Sequence, residues 1–330
     1  MSTNFPNGLL SKGVPVDSQR TLGWWGTTYF VDYDLGNDGN NGKTPTAAFK
    51  NFQAALDVIE EDDVIYMKPR AGNPDSGHMI TPTSADNWTI GTAAGSAGRG
   101  LSVIGASNVS GLGTFGGRYR VYMRGYGSGV TASNVLKINV PFVSIENIAW
   151  HQGSISASVS PIGSTGIILL QGQGSPGSGW TSIYNCNFKI ATIGCVRIVD
   201  SWYDTVEKCT FDRCIGGVNA HGATSALIGT RVIDCDFMGT AANNGQDISI
   251  YSDSANDRDI LIKGCIFNHP VGTYAGTLGY YVYTHGTCGC LITDCRAGDD
   301  NMEAATDYVI ATGTKMTQNF DNSDNEWGTT

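Results

Sequence analysis

The stretch Arg231-Val-Ile-Asp-Cys-Asp-Phe237 recurs in degenerate form through the second half of the chain, and this repeat decides the fold. Related segments are Val143-Ser-Ile-Glu-Asn-Ile-Ala-Trp150, Thr181-Ser-Ile-Tyr-Asn-Cys-Asn-Phe188, Thr205-Val-Glu-Lys-Cys-Thr-Phe211, Leu261-Ile-Lys-Gly-Cys-Ile-Phe267 and Leu291-Ile-Thr-Asp-Cys-Arg-Ala297. The aligned cysteines are Cys186, Cys209, Cys235, Cys265 and Cys295. A degenerate repeat with a period of about 20–50 residues indicates a solenoid, in which successive coils bury one continuous core.

Each repeat contains a predicted corner between two strands. The inward aliphatic residue and the inward Cys, or Ile148 in the first repeat, lie three positions apart. The two-residue alternation of a strand must therefore be broken by a bend. Residues between the inward positions, such as Glu207, Thr210, Lys263 and Arg296, are predicted to face solvent. Asn, Asp and Gly adopt left-handed backbone at the least cost, and they hold five of the six bend positions: Asn147, Asn185, Lys208, Asp234, Gly264 and Asp294.

A second β-like run follows each corner and completes a coil. The runs are Gly166-Ile-Ile-Leu-Leu170, Cys195-Val-Arg-Ile-Val199, Gly217-Val-Asn-Ala220, Asp247-Ile-Ser-Ile250, Tyr280-Tyr-Val-Tyr283 and Asp307-Tyr-Val-Ile310. Earlier in the chain, Thr44 followed by Pro45 is typical of a helix start. Apolar residues at helical spacing then predict a helix over about 46–59 that covers the open end of the core: Ala48, Phe52, Ala55, Leu56 and Ile59.

These patterns predict an all-β chain, a right-handed parallel β-helix that forms a single domain over residues 28–330. Residues 1–27 lack periodicity and are predicted to be an extended arm. Apolar residues spaced through the arm suggest that it docks on a partner: Phe5, Leu9, Leu10, Val14, Val16, Trp24 and Trp25. Other tryptophans, such as Trp88, Trp180, Trp202 and Trp327, could contact sugars or partner subunits, but most of them are expected to serve in packing.

Charge and cysteine content narrow the function classes. A net charge of −10 argues against nucleic acid as a partner, because phosphate binding requires a basic face. Nine cysteines, an odd number, without a leader-like start favour free thiols in a reducing cytoplasm over a secreted disulfide framework. No apolar run has the length of a membrane span, so no membrane insertion is expected.

The opening of the predicted domain resembles a known family. Phe30-Val-Asp32, Gly36-Asn-Asp-Gly-Asn-Asn-Gly-Lys-Thr-Pro45, Ala48-Phe-Lys-Asn-Phe-Gln-Ala-Ala-Leu56 and Asp63-Val-Ile-Tyr66 look like the start of pectate-lyase-like right-handed β-helix proteins. That family includes polysaccharide lyases, epimerases and phage tailspikes. The resemblance implies three parallel sheets and, for phage members, usually a homotrimer. The arm from Asn4 to Val16 is also similar to the N-termini of phage head-associated proteins.

Candidate catalytic groups are sparse. A hydrolase needs two carboxylates about 5–10 Å apart, and the outward columns of the repeat stack no two carboxylates on adjacent coils. Asp212 and Asp236 are the weak candidates, since they could meet diagonally, but solvated surface acids are the favoured interpretation.

A weak metal candidate lies in the loop of residues 32–41. Asp34, Asn37 and Asp38 are oxygen ligands of the kind that Ca²⁺ prefers, but the loop lacks the Glu that closes an EF-hand. A turn without metal is favoured here, and no cofactor is expected.

The sequence therefore favours a non-enzymatic bacteriophage virion protein, assembled in the host cytoplasm. It would be a trimeric capsid decoration or head fibre that stabilises the head or contacts the host surface, and its arm would bind another phage structural protein, such as the major capsid protein. The alternative is a tailspike or depolymerase that binds or cleaves a host surface glycan.

Overall fold

The structure is a computed structural model. It describes residues 10–11, 14–15, 26–70, 88–91, 99–106, 121–124, 134–151, 166–172, 178–223, 226–238, 246–252, 257–268, 280–298, 308–321 and 323–327. Only the backbone is described for residues 10–11, 14–15, 190–193, 213, 215, 246, 252 and 280.

Ten short strands form the first face of the solenoid, one above the other, with every neighbouring pair parallel. The strands are β3 (Thr28–Val31), β4 (Val64–Met67), β6 (Ser102–Gly105), β9 (Ser144–Glu146), β12 (Ser182–Tyr184), β14 (Thr205–Glu207), β16 (Arg231–Ile233), β19 (Ile260–Lys263), β22 (Cys290–Thr293) and β25 (Lys315–Thr317).

Thirteen further strands form a second parallel sheet that bends into two faces. The second face contains β7 (Val121–Arg124), β10 (Ile148–His151), β17 (Asp236–Met238), β20 (Ile266–Phe267) and β23 (Arg296–Ala297). The third face contains β5 (Trp88–Ile90), β8 (Leu136–Ile138), β11 (Gly166–Gln171), β18 (Gln246–Ser252), β21 (Tyr280–His285) and β24 (Tyr308–Val309). Two long strands, β13 (Asn187–Val199) and β15 (Thr210–Gly222), run through both faces, so these coils turn within a continuous strand. The predicted parallel β-helix is confirmed.

The predicted corners are confirmed at all six positions. Their φ angles are positive: Asn147 59°, Asn185 50°, Lys208 52°, Asp234 51°, Gly264 65° and Asp294 58°. Gln318, with φ 56°, forms one more corner after β25, in a coil that the repeat pattern did not predict. At the corner the Asn185 amide donates to Asn147 Oδ1 on the coil before, at 2.7 Å. The bend therefore links neighbouring coils as well as turning the chain.

Inward residues stack in columns along the axis. Phe188, Phe211, Phe237 and Phe267 form a ladder with centroid separations of 5.0, 4.7 and 5.2 Å and nearly parallel rings. Each buried Phe contributes about 1.5–3 kcal/mol, and the contribution requires a ring above or below. Beside this ladder, thiols donate to carbonyls of the preceding coil; Cys209 Sγ, for example, lies 3.5 Å from Ile183 O. All nine cysteines are free and buried.

The N-terminal end differs from the predicted helix over 46–59. A 3₁₀ turn spans Pro45–Ala47 with Thr44 as its cap, and α1 is limited to Phe52–Leu56. The intervening backbone is extended because Phe49 forms a parallel bridge with Val31 of β3. Phe52 nevertheless packs its ring edge on Trp88 of β5, with the centroids 5.4 Å apart. The short α1 therefore covers core residues at this end, as the pattern of buried residues indicated.

The two outer ends of the chain add smaller features. Two-residue strands β1 (Leu10–Ser11) and β2 (Val14–Pro15) pair antiparallel within the arm. At the other end Asn319 occupies the Cys position of the last coil, and its side chain bonds the Cys295 N–H and the Ile292 carbonyl. Trp327 folds back over this coil and packs on Tyr308 at 5.4 Å. Within the described residues, no helix is both long and apolar enough to cross a bilayer.

Of the four residues named above as facing solvent, Thr210 is in fact buried. Thr210 is only 6% exposed, whereas Lys263 and Arg296 are exposed as expected and Glu207 is half-buried. Glu146, in the same outward column as Glu207, is also buried and accepts a hydrogen bond from the Ser144 hydroxyl at 3.0 Å. Outward alternation thus fixes the direction of a side chain, but not its access to water.

We expect Phe211→Ala to lower the free energy of unfolding by about 3–5 kcal/mol, because it removes a ring stacked on both sides. The measurement is chemical denaturation followed by circular dichroism. Leu35→Ala is the matched control: Leu35 is 82% exposed, and its truncation should change stability by less than about 0.5 kcal/mol. Equal small effects of the two variants would contradict the stacked core.

Candidate functional site

The predicted docking residues of the arm cannot be placed by their side chains. Phe5, Leu9, Val16, Trp24 and Trp25 lie outside the described residues, and Leu10 and Val14 are described only as backbone in the β1–β2 pair. The docking role of the arm therefore stays a prediction.

The candidate metal ligands bind donors of the protein itself. Asp34 Oδ1 lies 3.1 Å from Arg70 Nε, and Asn37 Oδ1 accepts the Gly39 N–H at 2.9 Å. Asp38 Oδ1 accepts the N–H groups of Lys50 and Asn51, which lie just before α1, at 2.9 and 2.8 Å. Within the described part of the chain, no three His, Cys, Asp or Glu side chains are grouped so as to hold a metal ion. The contacts of this loop are those of a turn that fixes the start of α1.

The weak catalytic candidates lie on adjacent coils of the second face, but out of register. Asp212 stands beside Lys189 on one side and Met238 on the other. Asp236 stands between Thr210 and Ile266, and its Oδ1 accepts from the Asn268 amide at 2.7 Å. Burial raises the pKa of Asp236. Each carboxylate thus has neutral or basic neighbours in its own column.

A polar cluster on the outer side of the third face was not predicted. Arg197 is 1% exposed and its Nη2 lies 3.2 Å from His221 Nδ1. The rings of Tyr251, Tyr283 and His285 continue the cluster over the next two coils. Burial lowers the pKa of Arg197 to about 10. His285 is exposed, while His221 and Tyr251 are buried, so solvent reaches the cluster mainly from its His285 end.

The cluster could have been found by alignment of the second β-runs. Val199, His221, Tyr251 and His285 occupy one register column, which places two histidines and a tyrosine on successive coils. Read along the chain alone, the histidines are scattered.

Aromatic side chains gather where the chain turns from the third face back to the first. We call Phe142, Trp180, Trp202 and Tyr203 the aromatic turn. Trp180 stacks on Phe142 at 5.2 Å and on Tyr203 at 5.4 Å, with interplanar angles of 20° and 23°. Trp202 stands at 88° to Trp180, with the centroids 6.5 Å apart, and its indole N–H donates to Ala226 O at 3.1 Å. Trp180, Trp202 and Tyr203 are each nearly half exposed.

The packing role expected for the tryptophans is therefore only partly right. Trp88 and Trp327 are buried in the core, as expected, but Trp180 and Trp202 expose almost half of their surface. The difference arises because the latter two lie in turns outside the inward columns.

Beneath the aromatic turn lies a buried acid, Asp204. It is fully buried, and its Oδ1 accepts the Thr181 N–H of the preceding coil at 2.9 Å. Burial raises the pKa of Asp204 to about 7, against the smaller lowering effect of hydrogen bonds from Ser201 and Thr181. The carboxyl group thus links the turns of two coils and titrates near neutral pH.

Comparisons with known proteins locate the fold. No protein-family model matches the sequence, and no curated protein is similar to it in sequence. A rhamnogalacturonan lyase structure aligns with 91% of this chain and 75% of its own, with a TM-score of 0.62 and 12% identity. A lacto-N-biosidase from Eubacterium ramulus aligns with 89% of this chain and 56% of its own, with a TM-score of 0.52 and 10% identity. At such low identity these likenesses show the parallel β-helix fold alone.

A phage protein is also among the similar structures. ORF18 of Geobacillus virus E2 aligns with 78% of this chain and 46% of its own, at 13% identity and a TM-score of 0.39. A likeness this slight carries no functional argument.

Asp204 should make stability depend on pH. Its pKa in the folded chain, about 7, is above the ordinary value of 3.8, so the folded state binds more protons between these values. The stabilising effect is therefore complete below about pH 4 and is lost as pH rises through 7, by at most on the order of 4 kcal/mol. Asp204→Asn should remove this dependence. Thermal unfolding midpoints from pH 4 to pH 8 measure it.

The matched control is Asp324→Asn, at an exposed carboxylate. We expect the thermal midpoint of the Asp204→Asn protein to rise relative to that of the wild type as pH rises. The midpoint of the control should follow that of the wild type. Parallel curves for all three proteins would rule out the assigned role of Asp204.

Proposed function

We propose that this chain is a non-enzymatic component of a bacteriophage particle. It would be a trimeric capsid decoration or head fibre that is anchored by residues 1–27 and stabilises the head or contacts the host surface. The observation that carries the non-enzymatic part is the composition of the second-face column next to the corner. In the described strands its members in register are Tyr122, Ala149, Asn187, Thr210, Asp236, Ile266, Arg296 and Phe320. This column offers no second carboxylate to Asp236, and two carboxylates are what glycoside hydrolysis requires.

The core contains free thiols and no disulfides. Such a core suits a protein that is assembled in a reducing cytoplasm and later leaves it as part of a particle. The nine thiols are buried, and burial raises the pKa of thiols such as Cys209, Cys235 and Cys265 well above the ordinary value. Since the thiolate is the reactive form, these cysteines resist oxidation without forming disulfides. A solenoid whose core contains buried free thiols is expected to keep its structure in the reducing cytoplasm and outside the cell.

Exposed apolar side chains support the proposed contact between copies of the chain. Met238 and Ile266 lie on adjacent coils of the second face, and Leu291 lies on the first face one coil further on. Each is between 37% and 42% exposed. Contacts between subunits of a homotrimer would cover such side chains.

The alternative, a tailspike or depolymerase, is favoured by one observation. Asp236 has a raised pKa because of burial, which is the property required of a general acid. Its reaction would be cleavage of a host surface glycan, with Asp212, on the adjacent coil of the same face, as the second carboxylate.

The arm gives the direct test of the proposal. Full-length protein and a truncation lacking residues 1–27 are mixed with empty heads of the phage that encodes the chain, and the bound fraction is measured after sedimentation. We expect the full-length protein to bind and the truncation to lose at least tenfold in affinity. Identical thermal midpoints of the two proteins are the control for folding.

Undiminished head binding by the truncation would contradict anchoring by the arm. Release of oligosaccharides from host capsule or lipopolysaccharide would instead favour the depolymerase. In that case Asp236→Ala and Asp212→Ala should each abolish release.

A further inference from the structure

We propose that the aromatic turn is a polysaccharide-binding site, in which a pyranose ring stacks on the exposed face of Trp202 and the chain continues along Trp180 and Tyr203. The inference deepens the proposed contact with a host surface. Its test measures only glycan binding. The result therefore does not depend on whether the arm attaches the protein to a phage head.

The orientation of Trp202 is the first support. Phe142, Trp180 and Tyr203 are stacked coil over coil, so each ring of this column faces a neighbour within the stack. Trp202 stands at right angles to Trp180, and its own face is therefore turned across the column. The hydrogen bond from its indole N–H to Ala226 O fixes this orientation. A platform fixed before binding loses little entropy when a ligand arrives.

Backbone strain is the second support. Phe142, Trp180 and Tyr203 have φ angles of 64°, 51° and 58°, and left-handed backbone costs about 1–2 kcal/mol for a residue with a Cβ. The same place in the coils on either side holds Gly100 and Gly229, with φ 73° and 69°. Three consecutive coils thus use bulky aromatic residues where glycine would relieve the strain. Strain of this kind clusters at binding sites.

Gly229, on the next coil, leaves room for the ring of Tyr203. A Cβ on Gly229 would lie 2.3 Å from Cδ1 of Tyr203, so only glycine allows the Tyr203 ring to lie over the next coil. The stack of Phe142, Trp180 and Tyr203 therefore ends against the backbone of Gly229, which has no side chain. Tyr203 is 45% exposed.

The size of the surface decides between a glycan and a second protein. A large aromatic side chain covers about 150–250 Å² when fully buried, so three half-exposed ones offer on the order of 300 Å². A stable protein interface needs about 800 Å² on each partner. The other large apolar side chains that are exposed in the described residues lie on other parts of the solenoid: Leu35, Val58, Met238, Ile266 and Leu291. The exposed aromatic area is below that of a whole subunit interface and matches a short stretch of sugar chain.

Groups at the two ends of the site can bind sugar hydroxyl or carboxylate oxygens. Arg99 is exposed and its guanidinium lies 5.5 Å from the centre of the Phe142 ring. Arg258, on the column that contains Trp202 and Ile228, is 62% exposed at its side chain and lies 3.8 Å from Asp259. Stacking along the middle with polar donors at the ends is the arrangement expected for a pyranose chain, which has apolar faces and a polar rim.

The test uses a printed array of neutral and acidic bacterial and plant pyranose oligosaccharides, probed with fluorescently labelled full-length protein. We expect retention on at least one glycan class, and a loss of tenfold or more in affinity for that class in Trp202→Ala. Trp202→Phe, which keeps a ring, should lose less than Trp202→Ala. Leu35→Ala, which removes an exposed apolar side chain from the loop of residues 32–41, is the matched control and should bind as the wild type does.

Three results would overturn the proposal: no retention on any arrayed glycan at tens of micromolar protein, unchanged binding by Trp202→Ala, or a lower oligomeric mass of that variant in sedimentation. The last would assign the surface to subunit contact. If Trp202→Ala does not fold, oxidation of wild-type Trp202 by N-bromosuccinimide decides. Bound glycan should protect the peptide that contains Trp202, and full oxidation despite bound glycan would exclude the site.

Discussion

Coil-over-coil contact of identical inward positions is the constraint on which the rest of this molecule depends. Parallel strands in register stand about 4.8 Å apart, and the ring separations of the Phe188–Phe267 ladder, 5.0, 4.7 and 5.2 Å, follow that spacing. A residue inside the solenoid is therefore packed mainly by its counterparts one coil above and below. This explains why the sequence repeats types at a few positions and varies freely between them.

The same constraint acts on the outside. A side chain at an outward or turn position lies beside the side chains at the same position of the next coils. A surface site is therefore built from such a column of equivalent positions. Arg197 with His221, and Phe142 with Trp180 and Tyr203, are two such groups. Asp212 and Asp236, by contrast, fall in different columns and are not presented as an in-register pair. Column membership, rather than nearness in sequence, therefore decides which side chains can act together.

Sequence reasoning captured the parts of the fold that depend on inward positions. The six corners from Asn147 to Asp294 follow from two inward residues three apart, an aliphatic residue followed by a Cys in five repeats and by Ile148 in the first. The last coil was missed because Asn319 stands where the Cys is expected and Asp321 where the Phe is expected. α1 proved shorter than its apolar spacing indicated, because Phe49 pairs with β3. Trp180 and Trp202 were noted individually, but the aromatic turn was not recognised as one cluster. Phe142, Trp180 and Tyr203 align only when coils are counted from their first-face strands, a register that unequal loops conceal.

The most direct test of the central claim is cross-linking of residues that the register places side by side. In Thr205→Cys with Arg231→Cys, partners in β14 and β16, the Cα atoms should lie about 4.8 Å apart, within the range of a disulfide. In Thr205→Cys with Ile233→Cys, offset by two residues, they should lie about 8 Å apart and outside it. Mass spectrometry after mild oxidation should find a disulfide in the first pair only. A disulfide in the offset pair alone, or in neither, would contradict the stacked register.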